Sequence, residues 1–166
     1  MSEMLFLTPG DRGWDDARQA WNLAVNQHPA AVALPGCVQD VVSAVGFARA
    51  HGLRVAAQGT GHNAGPLGSL ADTILIKTTA MRRVSIDPGA QIARAEAGAV
   101  WRDVVQAAAG HGLAALAGSS PDVGVAGYTI GGGISWLGRA CGLAAGNVAA
   151  IEMITAGGRL VRADAG

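Results

Sequence analysis

Two stretches of this sequence gather glycine around a few polar side chains, and they are the places where it can do chemistry. The first is Gln58-Gly59-Thr60-Gly61-His62-Asn63-Ala64-Gly65, directly after a short apolar run. Backbone N–H groups with no Cβ in the way can converge on a phosphate there, so the segment is a candidate pyrophosphate cradle. The second runs from Gly118 to Gly133 and includes Ser119, Ser120, Pro121, Asp122, Val123, Gly124, Gly127, Tyr128, Gly131 and Gly132. So much glycine predicts no stable regular element there, and implies backbone packed closely against something flat. A tight turn beneath a sheet accounts for two or three of those glycines, less easily for Gly124, Gly127 and Gly131 to Gly133 together. Of the four histidines, only His62 lies in such a loop. His28, His51 and His111 have no comparable setting, and the last two fall at predicted helix ends, where an imidazole is commonplace.

Two familiar chemistries fit these segments poorly. Gly59, Gly61 and Ala64 match a dinucleotide fingerprint, G-x-G-x-x-A, and Asp87 follows a later apolar run as a ribose-binding acid should. That fold opens a helix at the last fingerprint position, yet the chain continues Gly65-Pro66-Leu67-Gly68 with no crossover helix,. Gly133-Ile134-Ser135-Trp136 begins like a serine-hydrolase elbow, but Leu137 stands where the final glycine belongs,.

The elements that must position these loops follow from periodicity. Val38, Val41, Val42 and Val45 predict a helix over about 38–50 that stops at His51-Gly52, flanked by strands at Ala31–Leu34 and Leu53–Ala57. Trp101, Val104, Val105 and Ala108 predict a second helix over about 100–109. Strands are expected at 73–76, 83–86 and 92–96, with Asp87-Pro88-Gly89 turning between the last two, and a hairpin at 151–163 about Gly157-Gly158. Trp14, Ala17, Trp21 and Ala24 are spaced for the buried face of a helix over 14–25, which makes both tryptophans expected core residues.

Composition narrows the function classes. Twelve basic and twelve acidic side chains cancel and lie scattered along 166 residues, so no basic face offers phosphate neutralisation along a nucleic acid,. No apolar stretch approaches the roughly 20 residues that span a bilayer. The start of the chain, with Glu3, Pro9 and Asp11, does not read as a signal peptide, and a cytoplasmic protein is expected,. Only 14% of residues are charged, below the roughly 25% of an ordinary domain, which implies surface covered by further protein,. Cys37 and Cys141 lie outside any disulfide or zinc spacing and are expected to be buried free thiols, so no metal is called for.

Taken together and in order, Gln58-Gly59-Thr60-Gly61-His62-Asn63, then Val123-Gly124-Val125-Ala126-Gly127-Tyr128-Thr129-Ile130-Gly131-Gly132-Gly133, then Gly142-Leu143-Ala144-Ala145-Gly146-Asn147-Val148 resemble the FAD-linked oxidases of the berberine bridge enzyme type, in the vanillyl-alcohol oxidase superfamily. Within that group they resemble the bacterial 6-hydroxynicotine-oxidase-like members. The resemblance runs from about residue 32 to 164. It implies an α+β FAD-binding domain of the vanillyl-alcohol oxidase (PCMH) type, with the flavin between two small α/β subdomains at about 30–86 and 87–166.

The resemblance also implies residue roles. Gln58, Gly59, Thr60, Gly61 and Asn63 would wrap the FAD pyrophosphate, and His62 would bond to the flavin 8α-methyl. Gly118, Ser119, Ser120, Val123, Gly124, Gly127, Tyr128, Gly131, Gly132 and Gly133 would line the flavin, ribityl and pyrophosphate, and Asn147, Val148 and Val161 the adenine side. Many relatives add a cysteinyl link where Ser120 stands here, so attachment is expected through His62 alone. The implied reaction is hydride transfer from a C–H bond of an alcohol, sugar or amine to the flavin, followed by reoxidation by oxygen. A catalytic base, the small-molecule substrate pocket and the remaining domain, or a partner chain, are expected outside residues 1–166. The competing readings are a truncated or degenerate FAD-binding module without turnover, and a non-covalent flavin reductase of the same architecture.

Overall fold

The computed structural model describes residues 5–166, which form two units. The first comprises the described residues through Ala80 together with Glu152–Val161. It is built on a four-stranded sheet in the order β1-β2-β4-β3, where β1 is Leu5–Leu7, β2 Ala31–Leu34, β3 Arg54–Gln58 and β4 Thr73–Lys77. β1 runs antiparallel to β2; β2, β4 and β3 are parallel. The connection from β2 to β3 is helix α2, Val38–Ala50.

β4 shows why the sheet is ordered this way. All five of its residues are buried, and the apolar run Ile74-Leu75-Ile76 at its centre is that expected of a parallel strand covered on both faces,. Side chains alternate across the pleat: Ile74 and Ile76 join Ala31, Ala33, Ala44, Val45 and Ala48 beneath α2, while Leu75 joins Val32, Leu7, Trp14 and Leu70 on the opposite face,. Ile154, from strand β7 (Ala150–Ile154), packs on the α2 side.

The second unit comprises Met81–Ile151 and Arg162–Gly166. Strands β5, Val84–Asp87, and β6, Ile92–Ala95, pair antiparallel, and their turn is closed by the Asp87 carboxylate, which accepts from the N–H groups of Gly89 and Ala90 at 3.0 Å each. Helix α3, Trp101–Ala109, buries Trp101, Val104 and Ala108. Its N-terminus is capped from within the first turn: Asp103 accepts from the Val100 N–H at 3.0 Å and pairs with both nitrogens of the Arg82 fork, the closest contact being 2.7 Å. Val100 has no side-chain acceptor to return the favour, so Asp103 carries the cap alone. Helix α4 is Val125–Ile130, and α5 is Gly138–Cys141. Strand β7 pairs with β8, Leu160–Asp164, and this hairpin contributes residues to both units.

Three expectations are corrected. The N-terminal helix spans only Trp14–Arg18 as α1, because Asn22 turns its side chain onto the Ala24 N–H at 3.2 Å and Arg18 reaches back to Asp15 and the Gln27 carbonyl, local bonds that compete with helical ones,. Trp14 is core, but Trp21 is 56% exposed. Both thiols are exposed: Cys37 caps α2, and Cys141 ends α5 at the surface. The glycine-rich second segment does contain a regular element, α4, one and a half turns long.

Asp103 generates a pH prediction. Burial opposes its charge, but the Val100 N–H and the Arg82 guanidinium outweigh that cost and hold its pKa below the ordinary 3.8. A lowered folded pKa stabilises the fold above the unfolded value and loses that contribution as pH falls through the folded one. Asp103→Ala should therefore cost about 1–2 kcal/mol in urea unfolding at about pH 7, and the gap from the unchanged chain should narrow at about pH 3.

Candidate functional site

The first glycine-rich loop leaves β3 at Gln58, and the parallel partner strand sets its starting point: Gln58 is in register with Lys77, and the Thr78 N–H donates to the Gln58 carbonyl at 3.1 Å. Within the turn Gly61 takes φ 87°, a conformation that a Cβ resists,. Added there, a Cβ would stand 2.8 Å from Gln58 Nε2 and 2.9 Å from the Ala20 Cβ, so the glycine admits close packing as well as the turn. Among the described residues, the N–H groups of Thr60, Gly61, His62 and Asn63 donate to no backbone carbonyl outside regular elements, which leaves them available to a ligand or to water.

His62 is half-buried and held on two sides. Its Nδ1 lies 2.8 Å from Thr60 Oγ1, and its ring stacks on the Trp21 indole with centroids 3.9 Å apart and planes 14° from parallel. Nε2 is buried with no hydrogen-bond partner, as are both amide atoms of Gln58. Buried polar atoms without partners cost about 1–3 kcal/mol each, and folded proteins rarely keep several in one place unless a ligand or water completes them. Asn63 is exposed, whereas Lys77 is buried and donates through Nζ to the Gln19 carbonyl at 2.5 Å. Burial pushes the Lys77 pKa below the usual lysine value.

In the second unit a cavity of about 400 Å³ is lined by Gly118, Ser119, Ser120, Val123, Gly127, Tyr128, Gly131, Gly133 and Ile134. Of the residues singled out in that segment, Gly124 and Gly132 lie outside the lining: Gly124 caps α4, and the Gly132 N–H bonds back to the Thr129 carbonyl. Gly133 has φ 70°, and a Cβ there would meet Tyr128 Cε1 at 2.5 Å and the Ala144 Cβ at 2.7 Å. The Tyr128 ring sits edge-on to Trp101 at 5.2 Å; its hydroxyl is buried without a partner, and burial raises its pKa. Ser120 donates to Asp122 at 2.5 Å. Asn147 does not line this cavity: its amide donates to the carbonyls of Cys141 and Leu143 at 2.9 Å each, tying its own turn, and Val148 beside it is exposed. Val161 is half-buried on β8.

Sequence reasoning missed Trp21, Gln19 and Lys77 around His62, and Ile134 in the cavity. The helical spacing of Trp21 pointed to a core role, so nothing in the pattern marked it as a neighbour of His62.

Comparison with known proteins supplies the context. Residues 29–164 match the FAD binding domain family. The chain is 31% identical to (R)-6-hydroxynicotine oxidase of Paenarthrobacter nicotinovorans over 153 residues, covering 92% of this chain and 33% of the relative. Its fold matches the crystal structure of 6-hydroxy-D-nicotine oxidase from Arthrobacter nicotinovorans with a TM-score of 0.91 and 29% identity, covering 98% of this chain and 36% of that one. It also matches glucooligosaccharide oxidase of Acremonium strictum, with a 6-S-cysteinyl, 8α-N1-histidyl FAD, at a TM-score of 0.86 and 28% identity over 97% of this chain and 34% of that one. The chain thus spans about a third of the length of the proteins it matches. The fold is the α+β, FAD-binding arrangement of the vanillyl-alcohol oxidase type.

The residues present fit FAD. Unpaired loop N–H groups suit a diphosphate, and the unpartnered Tyr128 hydroxyl and Gln58 amide suit a polar ligand, while Gly61 and Gly133 let the chain's own Ala20, Tyr128 and Ala144 pack closely around the two loops,. Tyr128→Phe should leave the cofactor-free chain as stable or up to about 1 kcal/mol more stable, since an unpartnered buried hydroxyl is removed, and should weaken FAD binding about 2- to 10-fold. Gly133→Ala should instead destabilise the chain by about 1–3 kcal/mol through strain and overlap. Urea unfolding and flavin fluorescence titration check both.

Proposed function

This chain belongs to the FAD binding domain family, and on that premise we propose that it is the flavin-holding portion of an oxidoreductase to which the cofactor is joined covalently through His62. The observation that carries the reading is His62 Nε2, buried without a partner in a glycine turn whose own N–H groups are unpaired. A buried imidazole nitrogen with no hydrogen-bond partner is costly in the isolated chain and relieved once a ligand meets it.

When bound, the flavin accepts a hydride from a substrate C–H bond and passes the electrons on. The chain's own residues bind and orient. The N–H groups of Thr60 to Asn63 would hold the diphosphate, the Tyr128 hydroxyl would donate to the cofactor, and His62 would fix the ring against dissociation. Ser120 has no sulfur to offer, and its hydroxyl is committed to Asp122, so His62 is the sole point of attachment.

The substrate is a small alcohol, sugar or amine, and dioxygen is the acceptor. The group that takes the substrate proton, and the pocket that selects the substrate, belong to protein outside residues 1–166. Ile130, Ile134 and Trp136 support this, being 72%, 80% and 81% exposed, a surface that suits cover by more polypeptide,.

Intact-mass measurement under denaturing conditions tests the attachment. The purified chain supplied with FAD should gain the mass of FAD less two hydrogens, and His62→Ala should lose that adduct while still binding FAD reversibly. FAD that leaves entirely on acid precipitation of the unchanged chain would overturn the covalent reading in favour of a non-covalent flavoprotein.

A further inference from the structure

The strap between α1 and β2 is fastened at three successive residues, one to the end of β4 and two to the first loop. Lys77 Nζ holds the Gln19 carbonyl at 2.5 Å. Ala20, 3% exposed, fills the space that a side chain on Gly61 would need. The Trp21 N–H donates to the Thr60 carbonyl at 3.0 Å, which seats the indole on the His62 ring 3.9 Å away. Burying the Lys77 ammonium is expensive, and it donates to one carbonyl of this strap,. The indole these fastenings place is itself 56% exposed, so it is not held there to fill a core.

An unrestrained imidazole turns about two side-chain bonds and presents its nitrogens over a wide arc. Here rotation is opposed by the indole face on one side and by the Thr60 Oγ1 contact at Nδ1. Reactions between groups held in a productive geometry gain orders of magnitude over those that must find it.

We propose that Trp21 is a positioning residue for the covalent capture of flavin by His62: the strap anchored by Lys77 lays the indole on the imidazole and fixes the plane in which it meets the 8α-carbon. This rests on the reading of His62 as the attachment point. Attachment replaces one C–H bond of the 8α-methyl and the imidazole N–H by a C–N bond. The two hydrogens reduce the isoalloxazine, and dioxygen then removes them as hydrogen peroxide, leaving the oxidised, linked cofactor. Trp21 takes no part in these bonds and acts only through the orientation of His62.

The test follows adduct formation by denaturing mass spectrometry after FAD is added to the cofactor-free chain, alongside reversible FAD affinity measured by flavin fluorescence in a His62→Ala background. Trp21→Ala should slow adduct formation about 10- to 100-fold. Reversible affinity should stay within about threefold, because the sites are otherwise intact. Trp21→Phe, which keeps a stacking ring, should restore most of the rate, and Trp21→Leu, apolar but not planar, should not. Since the indole is half-exposed, its removal leaves no core cavity, and urea unfolding of each variant should match the unchanged chain within about 1 kcal/mol. Unchanged adduct kinetics in Trp21→Ala would overturn the proposal, as would reversible affinity falling by the same factor as the rate. No adduct in the unchanged chain would instead remove the covalent reading of His62, and the positioning role with it.

Discussion

The pairing of β3 against β4 is the constraint from which the first loop takes its geometry. β4 is buried along its whole length, so its register with β3 cannot slip by one residue without turning Ile74 and Ile76 out of the core beneath α2,. That register puts Gln58 opposite Lys77 at the strand ends, and the chain leaves the sheet there as the Gly59–Asn63 loop. The same strand end that launches the loop thus carries the cation that ties down the strap lying over it.

Polar atoms around this point are buried at a cost that the fold alone does not recover. Gln58 keeps both amide atoms unpartnered, and His62 keeps Nε2 so. In the second unit the Tyr128 hydroxyl is in the same position, in a cavity walled by glycines. Each is a small debt of desolvation that a ligand with matching donors and acceptors discharges, and that makes the cofactor-free chain less stable than its apolar packing would allow. The glycines allow the chain to pack closely around these atoms: at Gly61 and Gly133 a single methyl group would already collide with Ala20 or with Tyr128 and Ala144.

The two units reach regular structure by different means. The first relies on a sheet buried on both faces. The second has two-stranded pairing, the nine-residue α3 and the short α4 and α5, and depends on local polar locks: the Asp87 turn, the Asp103 cap with Arg82, and the Asn147 amide between two carbonyls. Its exposed Ile130, Ile134 and Trp136 agree with the low charge content of the sequence, which leaves too few polar side chains to clothe the surface.

Much of this was legible in the residues alone. Periodicity located α2, α3, the strands other than β1 and the hairpin to within a residue or two, because each has one continuous buried face or a clear turn. Glycine physics marked where backbone could approach a ligand, and the resemblance of the ordered motifs to those of FAD-linked oxidases implied an FAD-binding α+β domain. His62 stood out for the same reason. What the pattern could not show is anything that depends on contacts distant in sequence. Trp21 obeyed helical spacing yet left the core, since an Asn22 turn broke the helix and the indole found His62, 41 residues further along. Lys77 reads as a strand end until the fold brings it to the Gln19 carbonyl, 58 residues away. Local sequence dictates where the backbone turns and which face is apolar; only the packed chain decides which side chains those turns bring together.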